Sequence, residues 1–270
     1  QQTPKWFFTN PDGSRTDRET LIARMREHIH AVVGRYKGRI HGWDVVNEAL
    51  NDRGEFHPSP WFDIIGPDFL ELAFRFANEA DPEAELYYND YNMFKPYKRA
   101  GVVRLVRSLK AKGLRIDGVG LQSHAELAAP SVSGYEATIE AIAAEGLKAM
   151  ITELDVSVLP STWNLSAEIT NLQDYDGRFD PWKDGLLPEE RQRALARRYC
   201  ELFRMYLRHA DAIDRVTLWG LKDGDSWLND FPMTGRTDFP LFFDRAGKMK
   251  LCAKAVARLA AATAPRRPDK

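Results

Sequence analysis

The chain is poor in the residues that mark disulfide-rich, metal-binding and membrane proteins. It has 2 cysteines and 6 histidines among 270 residues. Cys200 and Cys252 lie far apart in helical-looking segments, which is neither a disulfide framework nor metal-ligand spacing and favours buried free thiols. No histidine pair has the spacing of a zinc motif, so no metal or cofactor is expected. No apolar run approaches the roughly 20 residues that cross a bilayer.

An excess of charge of either sign is also missing. Lys+Arg total 38 and Asp+Glu total 39, for a formal net charge of -1. Such a chain has no overall field to attract nucleic acid or an anionic membrane surface, so a neutral ligand is expected. Residues 1–4 lack the charged and apolar regions of a signal peptide, and the export route is therefore not visible in the sequence.

The order of apolar patterns predicts an α/β fold. Helical spacing after the capping-box pair Thr16 and Glu19 predicts a first helix over about 17–36. Prolines at 58 and 60 indicate a loop, and Gly113 and Gly146 are expected to close two later helices. Strands apolar on both faces alternate with these helices, which is typical of a parallel sheet wrapped by helices. The five predicted strands end at Glu48, Asp90, His124, Glu153 and Leu221.

Two of those strand ends carry a carboxylate that needs explaining. Glu48 and Glu153 each end a short apolar run, and in an α/β barrel the C-terminal tip of a strand points into the mouth where catalytic groups lie. The two glutamates are three βα units apart, and strands at that spacing can face one another across a closed barrel. A pair of carboxylates in that position suggests glycoside hydrolysis.

Six motifs make the chain recognisable. They are QTPKWFF at 2–8, WDVVNE at 43–48, YNDYN at 88–92, GVGLQSH at 118–124, ITELD at 151–155 and VTLWGL at 216–221. In this order they resemble the motifs of family 10 glycoside hydrolases, which are mostly endo-β-1,4-xylanases. The match runs from the first residues to about Asp244, and its specificity comes from six ordered motifs together.

The resemblance implies a role for each residue near the reaction. Glu48 would be the general acid/base and Glu153 the nucleophile of a retaining double displacement, with carboxyl groups about 5 to 5.5 Å apart. Asn47 would hydrogen-bond the sugar 2-hydroxyl. His124 would hold Glu153 in its charged orientation, because a hydrogen bond to the ionised form favours that form, and Asp155 would support His124.

The resemblance also implies contacts to sugar units on both sides of the cleavage point. The six residues concerned are Gln2, Tyr91, Asn92, Gln122, Trp219 and Trp227. The two tryptophans would frame the sugar on the glycone side, since aromatic faces suit the apolar face of a pyranose. Tyr91 and Asn92 would act on the leaving-group side, and the two glutamines near the cleavage point.

A long irregular stretch from about residue 157 to residue 187 contains four aromatic residues. Loops of this length in a compact domain are usually functional, although packed surface loops anchored by aromatic side chains are an equal alternative. The aromatic residues are Trp163, Tyr175, Phe179 and Trp182.

Five strands are fewer than a barrel needs. The strand that ends at Glu48 is the fourth in the family order, so residues 1–270 are expected to be the C-terminal portion of one catalytic domain. They would supply strands 4 to 8 of a (β/α)8 TIM barrel. The first three βα units are expected from another segment or chain, with carbohydrate-binding modules possible in the preceding loop, since an open barrel exposes sheet edges.

The leading expectation is an endo-β-1,4-xylanase acting on xylan or xylo-oligosaccharides. A β-1,4-glucanase of the same mechanism and an inactive carbohydrate-binding fragment are the alternatives. A polysaccharide does not enter a cell, so a secreted or cell-surface location is expected. No role in binding nucleic acid and no membrane span are expected.

Overall fold

The computed structural model describes residues 2–162, 177, 179–182, 186–233 and 235–263. Trp163 and Tyr175 of the long irregular stretch lie outside the described residues. The chain forms two compact units. The first comprises 1–122 and 137–150, and the second comprises 123–136 and 151–270. The boundaries fall between Gln122 and Ser123, within one helix and within one strand.

The first unit is built on parallel strands alternating with helices. Strand β1 pairs in parallel with β2, and β2 with β3, while the Lys148 amide at the start of β5 donates to the Asp117 carbonyl at 3.1 Å. Its helices and strands are α1 (Arg18–Arg35), β1 (Gly42–Asn47), α2 (Pro60–Ile65), α3 (Phe69–Ala80), β2 (Glu85–Asp90), α4 (Pro96–Ala111) and β3 (Gly118–Leu121).

The start of α1 differs from the predicted capping box. Asp17, not Thr16, is the N-cap residue, and its carboxylate accepts from the Thr20 amide at 2.7 Å. The Thr16 hydroxyl instead donates to the Asn10 side chain at 3.0 Å. Aspartate and threonine are both favoured at the N-cap position. Here the hydroxyl of Thr16 is engaged by Asn10, and Asp17 caps the helix.

The region predicted as a proline loop contains a short helix. Ser59 caps α2 by accepting from the Phe62 amide at 3.2 Å, and Pro60 occupies the first turn. Proline is favoured at that position because its missing N–H would have had no partner within the helix. The prediction of a loop there was wrong for this reason.

The second unit also contains parallel strands. Strand β4 (His124–Glu126) pairs in parallel with β5 (Lys148–Ser157), placing His124 opposite Asp155, and β6 (Ile213–Leu218) pairs with β5. Helices α6 (Glu189–Arg208) and α7 (Leu251–Thr263) contact one another. Helix α5 (Val132–Ala144) begins in this unit and ends in the first one.

Three strand predictions need correction. The run 118–124 is two short strands, because Ser123 has a left-handed φ of 62° that interrupts the extended backbone. Strand β5 continues to Ser157, so Glu153 lies inside it and does not end it. Strand β6 ends at Leu218, three residues before the predicted end at Leu221.

Both cysteines are buried free thiols, as the sequence predicted. Burial raises the pKa of the Cys252 thiol to about 11, which keeps it protonated and unreactive near neutral pH. Among the helices that the structure describes, none combines the length and the apolar character that crossing a membrane requires.

Candidate active site

Glu48 lies one residue beyond the end of β1, in the first unit. Its backbone has a left-handed φ of 57°, and its amide donates to the Asn89 carbonyl of β2 at 2.9 Å. A residue with a side chain pays roughly 1–3 kcal/mol for such a conformation and keeps it only where neighbours enforce it. The side chain is exposed, so a polar ligand can reach the carboxyl group.

The amide side chain of Gln122, one residue beyond β3, contacts this carboxyl group and the neighbouring Asn47. The Gln122 amide donates to Glu48 Oε1 at 2.7 Å and lies 3.3 Å from Asn47 Oδ1. Asn89 Nδ2 donates to the same Asn47 oxygen at 2.9 Å. With its oxygen engaged in this way, Asn47 has a fixed amide orientation and offers its Nδ2 as the donor end.

Tyr91 and Asn92 hold the loop formed by residues 49–57. The Tyr91 hydroxyl lies 3.1 Å from His57 Nε2, and Asn92 Nδ2 donates to Asp52 Oδ1 at 3.1 Å. Burial raises the pKa of Tyr91 to about 12, helped by the negative charges of nearby carboxylates that include Glu48. The Tyr91 hydroxyl and Asn92 Nδ2 are therefore engaged by this loop. The sequence did not predict these two contacts.

Glu153 lies in the second unit with a second cluster of side chains. Its Oε2 is 3.3 Å from His124 Nε2, and His124 Nδ1 is 3.0 Å from Asp155 Oδ1. The Trp227 indole donates to Asp155 Oδ2 at 2.9 Å, and its ring lies 5.0 Å from the imidazole of His124. The side chain of Glu153 is only 12% exposed and that of Asp155 1%, so this chain of contacts is largely screened from water.

His124 carries a positive charge between these two carboxylates at neutral pH. Burial by itself lowers the pKa of the imidazole, but hydrogen bonds to Asp155 and Glu153 outweigh it and raise the pKa to about 9. Both ring nitrogens are then donors, so one proton points at each carboxylate. The sequence-based expectation that His124 contacts Glu153 and that Asp155 supports it agrees with this geometry.

The charge on His124 leads to an expected pH dependence of stability. Because the folded-state pKa exceeds the usual 6.5, the stabilisation is complete below pH 6.5 and is lost as pH rises through about 9. The difference corresponds to on the order of 3 kcal/mol. Urea unfolding of the wild type between pH 6.5 and 9.5 should show this loss, and His124→Gln, which cannot titrate, should lack it.

The exposed His28→Gln substitution is the matched control for that experiment and should behave as the wild type does. If the free energy of unfolding depended on pH equally in the wild type and in His124→Gln, the assignment of a charged imidazole would be contradicted.

The remaining predicted contact residues lie at the ends of elements. Trp219 follows β6 directly, is 46% exposed, and its amide donates to the Leu154 carbonyl at 3.1 Å. Trp227 begins a short 3-10 helix, Trp227–Asn229, and packs against Phe231 at 4.7 Å. Gln2 is exposed.

Several residues that build the first cluster were missed by sequence reasoning. Asn89, His57 and Asp52 each contact a predicted site residue. Asn89 lies within the quoted YNDYN motif, which was a usable signal. His57 and Asp52 stand in an irregular loop whose contacts depend on packing, and no sequence pattern marks them.

Comparison with known proteins identifies the relatives of this chain. The family model described as glycosyl hydrolase family 10 matches residues 1–259. Endo-1,4-beta-xylanase A of Xylanibacter ruminicola is 49% identical over 259 residues, which cover 96% of this chain and 70% of that protein.

Two solved structures extend the comparison. A GH10 endoxylanase retrieved from a sugarcane soil metagenome is 46% identical with a TM-score of 0.89, covering 96% of this chain and 73% of that one. An intracellular xylanase from Thermoanaerobacterium saccharolyticum is 32% identical with a TM-score of 0.77, covering 94% and 72%.

The fold and the family match therefore define a glycoside hydrolase whose fold class is α/β, a partial (β/α)8 barrel, as predicted. The chain belongs to glycosyl hydrolase family 10.

Proposed function

We propose that this chain carries both catalytic carboxylates of an endo-β-1,4-xylanase that hydrolyses xylan and xylo-oligosaccharides with retention of configuration. The observation that carries the proposal is the clamp on Glu153, whose carboxylate lies against a charged His124 that Asp155 holds in turn. A carboxylate oriented against a positive charge in this way suits a nucleophile.

In the first step Glu153 attacks the anomeric carbon while Glu48 gives its proton to the departing glycosidic oxygen. A covalent glycosyl-enzyme forms and the leaving sugar departs with that proton. In the second step Glu48 takes a proton from water, the water oxygen bonds to the anomeric carbon, and Glu153 leaves as a carboxylate. Two inversions give overall retention, for which a separation of about 5 to 5.5 Å between the carboxyl groups remains the expectation.

The residues around the two glutamates are proposed to contact the substrate. Asn47, whose Oδ1 is engaged by neighbouring amides, offers Nδ2 to the sugar 2-hydroxyl. Trp219 and Trp227 frame the glycone-side sugar, and the half-exposed ring of Trp219 suits this. Tyr91 and Asn92 act on the leaving-group side through the 49–57 loop that they hold.

Gln122 donates to the acid/base carboxyl and so fits a network role near the cleavage point. The exposed Gln2 is proposed as a sugar contact there.

Two finer expectations remain proposals. The first three βα units of the barrel, with or without inserted carbohydrate-binding modules, are supplied by another segment; a monodisperse and active monomer of these 270 residues alone would contradict that. Secretion or display at the cell surface rests on the size of the substrate alone, and the relative from Thermoanaerobacterium saccharolyticum is named as intracellular.

The substrate and the stereochemistry can be tested together. Reducing sugar released from xylan should greatly exceed that from carboxymethyl-cellulose, because the proposal assigns the site to xylose units. Proton NMR of the first product from a xylo-oligosaccharide should show the β-anomer before mutarotation. The assay should be run on this chain with and without the proposed N-terminal barrel segment.

Each contrary outcome has a distinct meaning. Faster release from carboxymethyl-cellulose would favour the β-1,4-glucanase, and an α-anomer formed first would refute the double displacement. Xylan binding without hydrolysis in both forms would favour the carbohydrate-binding fragment.

A further inference from the structure

A buried ion pair lies behind the loop that follows Glu48. Lys98 on α4 and Asp90 at the end of β2 are 2.7 Å apart, and both side chains are fully buried. Burial raises the pKa of the Asp90 carboxyl, and the Lys98 charge opposes that rise. Taking two charges out of water is costly, and an apolar pair of the same volume often serves stability equally well. Stability alone therefore does not explain this pair.

The Lys98 ammonium has three partners, which matches its three protons. Beside Asp90 Oδ1, it donates to the Leu50 carbonyl at 2.5 Å and lies 4.0 Å from the centre of the Tyr91 ring. Leu50 is two residues after Glu48. The ammonium therefore connects the end of β2 to the start of the 49–57 loop.

Tyr88 makes a second connection to the same place. Its hydroxyl donates to Asp90 Oδ2 and accepts from the Ala49 amide at 3.1 Å. The Ala49 carbonyl in turn accepts from the His57 amide at 2.8 Å. Both polar backbone groups of Ala49, the residue directly after Glu48, are thus held.

Helix α4 also fixes the far part of the loop. Gly54 and Gly101 are in such close backbone contact that a Cβ on Gly101 would lie 2.4 Å from the Gly54 Cα. Arg104 on the same helix donates to the Gly54 carbonyl at 3.1 Å. The loop is therefore attached to α4 at two places, at Leu50 near its start and at Gly54 farther along.

We propose that the buried network of Lys98, Asp90 and Tyr88 positions the carboxyl group of Glu48 for proton transfer. The inference rests on the proposed function, in which Glu48 is the acid/base. Glu48 keeps its left-handed backbone only where neighbours enforce it, and the network holds the two residues that follow it. These three are positioning residues, since none of the described contacts joins them to the Glu48 carboxyl group.

The test compares Tyr88→Phe with the matched control Tyr87→Phe. Both tyrosines lie on β2 and donate to a carboxylate two residues away on their own strand, but Tyr87 donates to Glu85. Aryl xylobiosides with a good and a poor leaving group serve as substrates, in whichever form of the chain hydrolyses xylan. A misplaced proton donor matters only where the leaving group needs protonation.

For Tyr88→Phe we expect kcat/KM to fall about 10-fold or more with the poor leaving group and less than about threefold with the good one. Tyr87→Phe should leave the ratio between the two substrates unchanged. Amide exchange followed by NMR should accelerate at Ala49 in Tyr88→Phe alone, a readout that does not depend on activity.

A double substitution, Asp90→Asn with Lys98→Met, removes both charges and avoids leaving one buried ion unpaired. It should show the same leaving-group dependence as Tyr88→Phe. Equal losses on both substrates, or no loss, in these variants would overturn the inference. If Glu48→Gln itself shows no leaving-group dependence, the proposed function fails; if only the network variants lack it, the positioning role fails.

Discussion

Glu153→Ala is expected to abolish hydrolysis of xylan, with kcat/KM falling on the order of 10⁴-fold or more. The methyl group cannot bond to the anomeric carbon, so no glycosyl-enzyme forms. Glu153→Gln should lose as much, although it fills the same space beside His124, because a neutral amide is not a nucleophile. Initial rates on xylan and on an activated aryl xylobioside measure the effect, and both substrates should suffer alike.

Glu189→Ala is the control for these variants, because Glu189 lies on the exposed first turn of α6 and pairs with Arg193. It should retain full activity. Near wild-type xylan hydrolysis by Glu153→Ala would overturn the nucleophile assignment. Thermal unfolding should accompany the assay, so that a lost fold is not read as lost chemistry.

Glu48→Ala is expected to give a loss that depends on the leaving group. Xylan hydrolysis should fall by about 10²- to 10⁴-fold, the usual contribution of general acid/base catalysis. The first step with a highly activated aryl xylobioside should be nearly unaffected, since such a phenolate departs without a proton. The glycosyl-enzyme should then accumulate as a burst of phenol release, because no base activates water in the second step.

Added azide provides the sharper measurement on the same variant. Azide needs no general base, so it should speed turnover of Glu48→Ala and yield a β-glycosyl azide. With Glu153→Ala, azide can only displace the leaving group directly, which yields the α-azide. An α-configured azide from Glu48→Ala, or a β-configured azide from Glu153→Ala, would contradict the retaining roles of the two glutamates.

Some parts of the fold followed directly from local sequence. Helix α6, Glu189–Arg208, follows from its own residues, because its apolar side chains recur at helical spacing over about five turns. Gly113 closes α4 with a left-handed φ of 69°, as its position predicted. The strand boundaries were less predictable, since the ends of β3, β5 and β6 depend on backbone conformation and strand pairing that short motifs do not show.

The residues of the candidate site also fall into two groups, those that local motifs indicate and those that only packing brings together. Motifs pointed to Glu48, Glu153, His124 and Asp155. The expected contacts of His124 with Glu153 and Asp155 are present in the second unit. Lys98 could not be found in this way. A lysine in an amphipathic helix is ordinarily a solvated charge, and only packing of α4 against β2 brings it to Asp90 in the interior.

The sequence by itself determined the class of fold and the alternation of strands and helices, and it singled out Glu48 and Glu153 as the proposed catalytic pair, because strand periodicity and short motifs are local. The tertiary structure decided their surroundings. It put Glu48 in a left-handed turn and charged His124 between two carboxylates. Burial and hydrogen-bond partners come from residues distant in the chain, and these set the pKa and the orientation of a catalytic group.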